Sequence, residues 1–217
     1  EAGVVDIGDG TAVVLHDLDR QRGRFDELVA AFPSGALHAV AVKANPLVEV
    51  LRPLVAAGAG CETASMEEIH IALAAGCPAD RIVFDSPAKR VHELADALDA
   101  GVIVNVDNAD ELERIVALGR DTTSLIGIRV NPAVGDGRIG VTSVGGRSSR
   151  FGVPADEAFE LFVEFADRLP TLRGLHVHVG SQGCSLDQLV AGARAAQDLR
   201  DRIEARLGVG RIAQIDI

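Results

Sequence analysis

From His38 onward the chain alternates short β-branched runs with longer Ala/Leu/Glu/Arg stretches of helical period, and this alternation restricts the fold more than any other feature. Parallel strands cannot be joined by tight turns and need a crossover, so repeated strand–helix units mean a parallel sheet covered by helices. The runs predict strands over 37–43, 58–62, 81–85, 102–106, 124–130, 173–179 and 211–217. Ser65 followed by Glu68 reads as a capping box, Asn108 followed by Glu111 as a second, and Ser86-Pro87 as an N-cap with proline in the first helical position. Gly76 and Gly101 sit where helices should stop.

Seven strands at this spacing fall short of the eight strands and ~250 residues of a complete (β/α)8 barrel. The expectation is an α/β chain: a TIM-type (β/α)8 barrel portion over 37–217, incomplete at its C-terminus, preceded by a lead-in strand and first helix within 1–36. An open doubly wound sheet could be built from the same pattern. Residues 132–150 are rich in glycine and serine and read as a surface loop. Gly145-Gly146-Arg147-Ser148 within it could hold an anion through backbone amides, a flexible connection being the plainer reading.

The same residues narrow the function classes. No stretch approaches the ~20 consecutive apolar residues of a membrane helix, and the start Glu1-Ala2-Gly3-Val4-Val5-Asp6 does not read as a secretory leader. Sequence upstream is expected to be missing. Cys61, Cys77 and Cys184 are an odd number without a C-x-x-C pair, which argues against a disulfide framework or a zinc site and for a reducing cytoplasm. A net charge of −11 disfavours nucleic acid and anionic membranes as partners.

Alternation along 37–43 places Ala39, Ala41 and Lys43 on one face, with small neighbours leaving space around the lysine. Reactive groups of a (β/α)8 barrel stand at the carboxyl ends of strands, where a desolvated lysine can act as an amine nucleophile; a solvated lysine is the bland alternative. Glu62 ends the second strand and Arg129 nearly ends the fifth, so both could face the same mouth, or form a surface ion pair. His176 and His178 share one strand face, but no third ligand of matching placement accompanies them, so a buried polar pair or one functional histidine is preferred to a metal. Gly180-Ser181 offers a hydroxyl and free amides at a strand-to-helix turn, a reasonable anion seat. Glu68 is explained by capping, and His16, His38, His70 and His92 belong to no pattern.

Five segments carry a resemblance: Ala41-Val42-Lys43-Ala44-Asn45-Pro46, Gly60-Cys61-Glu62-Thr63-Ala64-Ser65, Arg150-Phe151-Gly152, His176-Val177-His178-Val179-Gly180-Ser181-Gln182 and Ile215-Asp216-Ile217. In this order and spacing, from about residue 12 to the end, they resemble the fold-type III decarboxylases dependent on pyridoxal 5'-phosphate (PLP), the diaminopimelate, ornithine and arginine decarboxylases. The resemblance implies that Lys43 carries PLP as a Schiff base, that His178 stacks on the pyridine ring, that Ser181 contacts the phosphate, and that Arg129 lies near the cofactor's phenolic oxygen. Glu62 inherits the place of an acid near the lysine, although Cys61-Glu62 replaces the usual Phe-Asp.

It further implies decarboxylation of a small-molecule amino-acid substrate, diaminopimelate-like or basic, by a protein that at full length is a homodimer. Its glycine-rich phosphate loop, the glutamate for the ring nitrogen and the C-terminal β-domain are not among these residues, so the chain alone is expected to bind PLP weakly and to be inactive. Amino-acid racemases, PLP-homeostasis barrels and non-catalytic decarboxylase-like regulators are the rival classes; His178-Val179-Gly180-Ser181-Gln182 favours the decarboxylase branch.

Overall fold

The computed structural model describes residues 14–133, 150–179 and 184–217. Helix α1 (Leu18–Ala31) opens the described chain, its first turn capped by the Asp17 carboxylate, which accepts from Arg20 N at 2.9 Å. Strands and helices then alternate: β1 (Ala39–Ala41), α2 (Val48–Ala56), β2 (Gly60–Thr63), α3 (Met66–Ala74), β3 (Ile82–Phe84), α4 (Val91–Ala100), β4 (Ile103–Val106), α5 (Ala109–Leu118) and β5 (Ile126–Asn131). After the undescribed residues come β6 (Val153–Pro154), α6 (Ala155–Phe165), β7 (Leu172–His176), α7 (Leu186–Leu207) and β8 (Gln214–Asp216). Every strand pairing is parallel.

The strand order decides between the two architectures the pattern allowed. The sheet runs β1-β2-β3-β4-β5-β7-β8, with β6 attached to β5 alone. A doubly wound sheet reverses its order at a switch point; this one never does, so the strands curl in one direction as in a (β/α) barrel. The curl is visible in side chains. Asn105 on β4 donates to Asp216 Oδ2 on β8 at 3.0 Å, although β5 and β7 lie between them in the sheet. Gly127 and Gly174 make that reach possible: a Cβ on Gly127 would collide with the Asn105 side chain, and one on Gly174 would lie 3.0 Å from the Gly127 Cα.

Alternation along each strand divides the molecule. Cys61, Ile82, Phe84, Val104, Val106, Ile126, Ile128 and Val130 point outward into one apolar core with Leu94, Leu112, Phe162 and Leu199 of the helices. The other face of these strands carries Glu62, Val83, Ile103, Asn105 and Arg129, joined by His176 of β7, so polar and charged side chains share the inside of the curl with two apolar ones.

All seven predicted strands are present, shorter than expected. The 37–43 run pairs as strand only over Ala39–Ala41; Val42–Ala44 is a 3-10 turn that carries Lys43. Pro46 forces Asn45 into extended backbone (φ −159°, ψ 96°) and ends that turn. The 173–179 run ends at His176 because its neighbour β8 ends at Asp216, leaving Val177 N to the Asp216 carbonyl at 2.9 Å as a closing bond. Strand β6 was not expected; two residues are too few to show a period.

Gly101 (φ 78°) and Gly76 (φ 89°) end α4 and α3 as anticipated. The capping boxes are each displaced by one residue. Ser65 and Asn108 accept from Glu68 N and Glu111 N, but the reciprocal carboxylates take Ala64 N (2.8 Å) and Asp107 N (2.9 Å). Ser86 does not cap a helix: α4 begins at Val91, where Glu93 accepts from Arg90 N at 2.7 Å. Ser86 instead closes a local turn with Ala88, because Lys89 is drawn inward and breaks the helical path.

Candidate active site at the carboxyl ends of the strands

Parallel strands point all their carboxyl ends the same way, so residues far apart in sequence converge on one mouth. Lys43, just beyond β1, donates from Nζ to Glu62 Oε1 on β2 at 2.9 Å. The lysine side chain is 55% exposed and the glutamate 24%, so the amine stays open to the mouth while the carboxylate fixes its direction.

Deeper inside, Arg129 of β5 lies between two acids. Its Nη1 is 3.5 Å from Asp85 Oδ2 after β3, and its Nε is 3.8 Å from Asp107 Oδ1 after β4. The guanidinium sits 5.2 Å from the Phe151 ring centroid, a cation–π distance. Asp107 Oδ1 also accepts from Gly152 N at 3.1 Å, and Gly152 has φ 69° with its Cα so close to Arg129 that an added Cβ would lie 2.8 Å from the Arg129 carbonyl oxygen. The Arg150-Phe151-Gly152 segment is thus seated on Arg129 and Asp107.

His176 is buried and has Nδ1 3.1 Å from Asp85 Oδ1, an ion-pair distance without hydrogen-bond alignment. Burial works against its charged form, yet Asp85 and then Asp216 outweigh it and hold the imidazole above its ordinary value. Burial likewise pushes the Asp85 carboxyl up, and His176, Arg129 and Lys89 together bring it below its usual range. Burial raises Asp216 and Asp107, against the opposing pull of His176 on the first and of Gly152 N and Arg129 on the second. His178, half-buried, is lowered by burial and by the positive charges of Arg129, His176 and Lys43, so it presents a neutral ring at neutral pH.

Of the sequence-predicted residues, the structure brings Lys43 and Glu62 into contact and sets His178 and Arg129 in the same electrostatic neighbourhood. Ser181 and its anion seat lie outside the described residues, as do Gly145–Ser148. The His176 and His178 rings stand 6.4 Å apart between centroids, and among the described residues no group of three or more His, Cys, Asp or Glu is placed to hold a metal. Asp85, Asp107 and Asn105 were missed. The first two carried a readable signal, an acid directly following a β-branched or aromatic run at a strand's carboxyl end; Asn105 carried none.

Comparison with known proteins puts this geometry in a family. Residues 17–217 match the family described as "Pyridoxal-dependent decarboxylase, pyridoxal binding domain". The chain belongs to that family. Its relatives include the diaminopimelate decarboxylase of Methanothermobacter thermautotrophicus, 34% identical over 214 residues, which are 96% of this chain and 50% of that protein. The solved diaminopimelate decarboxylase of Helicobacter pylori complexed with L-lysine superposes with a TM-score of 0.81 at 29% identity, over 94% of this chain and 52% of that one. Lysine/ornithine decarboxylase of Vibrio vulnificus complexed with putrescine gives 0.73 at 28% identity, over 93% and 50%. The chain therefore spans about half the length of the curated relatives it matches.

The cofactor of this family is pyridoxal phosphate, and the residues at the mouth fit it. An exposed primary amine beside a carboxylate suits the aldehyde, and a neutral, half-buried imidazole suits the face of a flat ring. A buried arginine supplies fixed positive charge nearby.

Proposed function

We propose that the protein containing this chain decarboxylates an amino acid, diaminopimelate-like or basic, with PLP held covalently by Lys43 Nζ. The observation that carries the proposal is the convergence of Lys43, Glu62, Arg129 and His178 at one end of a parallel (β/α) sheet in a pyridoxal-binding family. Bound there, PLP supplies an electron sink for the pair left behind when CO2 departs. The chain's own residues do the rest. Glu62 orients Nζ and exchanges a proton with it, taking the proton when the free amine attacks the cofactor's aldehyde carbon and returning it when the amine leaves in favour of a substrate. His178 offers its uncharged ring as a flat wall, and Ser181, three residues further along the sequence, contributes a hydroxyl to the phosphate.

Arg129 cannot swing freely, because Asp85 and Asp107 hold it from two sides; its charge is therefore fixed near the site. The names of the relatives support diaminopimelate as the first substrate to try. In the same reading residues 37–217 form the barrel portion, and a homodimer with a further β-domain completes the site.

The test uses the protein as its gene encodes it. After incubation with PLP, borohydride reduction and peptide mass mapping should find the cofactor on the peptide containing Lys43, and Lys43→Ala should abolish it. An adduct fixed on another lysine would overturn the assignment. CO2 release from diaminopimelate, lysine, ornithine or arginine checks the reaction, and racemisation without CO2 would place the protein among the non-decarboxylating relatives instead.

A further inference from the structure

Behind the mouth lies a second lysine–glutamate pair that the proposed reaction does not use. Lys89 and Glu111 are 0% and 1% exposed, with Nζ 2.8 Å from Glu111 Oε2. Nζ also donates to the Ser86 carbonyl at 2.6 Å. The Glu111 carboxylate takes two further donors, Lys89 N on Oε1 at 3.0 Å and Asp107 N on Oε2 at 2.9 Å. One carboxylate thus ties together the turn after β3, which begins with Asp85, and the turn after β4, which begins with Asp107. Those are the two acids that hold Arg129.

We propose that Glu111, with Lys89, is a positioning residue: it sets the Asp85 and Asp107 turns and through them the place of the Arg129 guanidinium at the cofactor mouth. Glu111 itself lies behind those turns and acts only through them. A purely structural pair would be free to sit anywhere in the core; this one sits where the two acid-bearing turns meet, and its hydrogen bonds go to their backbones. The geometric part of the proposal concerns the protein without cofactor, whereas its consequence for PLP rests on the function proposed above.

The experiment therefore has two readouts on the gene-encoded protein. The first is solvent exchange of the Arg129 Nε–Hε signal in the PLP-free protein, assigned by its loss in Arg129→Lys. In the native protein it should exchange slowly, and Glu111→Gln should speed it by about tenfold or more, as a side chain released from a fixed site does. The second is PLP affinity measured well below the melting temperature, which Glu111→Gln should weaken by about tenfold, in line with the cost of misplacing a site group. Asp107→Asn, which keeps its backbone N–H on Glu111, should speed the same signal, and the double variant should add little to either single change.

If Glu111→Gln does not fold, Glu111→Asp, with its charge kept and its reach shortened, should move the Arg129 signal in the same direction. Unchanged Arg129 exchange in a folded Glu111 variant overturns the proposal, as does an effect that simply multiplies with that of Asp107→Asn. Failure of the native protein to bind PLP, with the exchange result as expected, overturns the functional reading and leaves the positioning role standing.

Discussion

The structure contains two lysine–glutamate pairs of nearly equal length, 2.9 Å for Lys43 and Glu62 and 2.8 Å for Lys89 and Glu111. Their surroundings are opposite. The first is open at the mouth, so water screens it and the amine remains available; pairs of this kind are worth about 0–1 kcal/mol. The second is sealed between two turns, where each charge depends on the other and on the backbone groups around it. Separating such a pair costs about 3–5 kcal/mol, because an uncompensated charge is left inside. The same two residue types therefore serve reactivity in one place and geometry in the other, and burial makes the difference.

The largest effect expected from breaking the contrast is at the closed pair. Lys89→Met should lower unfolding free energy by about 3–5 kcal/mol, read as a shift of the denaturant midpoint at constant slope; a loss below about 1 kcal/mol would mean that Glu111 is no more committed than Glu62.

An intermediate effect belongs to His176, buried like the second pair yet part of the mouth. Its folded value lies above the unfolded 6.5, so its contribution to stability is fully present below that pH and is lost as pH rises through the raised value. Asp85, lowered from 3.8, contributes above that pH and loses its contribution as pH falls through the lowered value. His176→Asn should cost about 1–3 kcal/mol below pH 6.5, and the gap to the native protein should narrow as pH rises above 6.5 and through the raised value, in parallel denaturation curves.

The smallest effect sharpens the comparison from the other side. Lys43→Met should change stability by less than about 1 kcal/mol while abolishing covalent capture of PLP; a large loss of stability would show that the mouth pair also holds the fold.

Much of this was legible beforehand. The strand–helix alternation gives the parallel sheet, all seven strands appear, and the Ala41–Pro46 and Gly60–Ser65 segments lead to a lysine and a glutamate that do meet. Three things were not legible. The acids around Arg129 follow two different strands, and nothing local says that their turns converge on a third. The displaced capping boxes show why Glu111 reads as a cap alone in the sequence: its spacing from Asn108 is that of a cap, while its partner Lys89 lies 22 residues earlier. The Ser86-Pro87 start signal failed for the same reason, since burial of Lys89 outweighs a local preference worth about 1 kcal/mol.

By itself, then, the sequence determined which segments are strands and helices, in what order they follow, and which faces are apolar, because those properties repeat over a few residues along one chain. Where each strand stops, which acid meets Arg129, and which lysine is open or sealed were decided only in the tertiary structure. Asn105 reaching Asp216 across 111 residues is the clearest case: that bond exists because the sheet curls and two glycines clear its path, and neither condition is a property of the residues that make it.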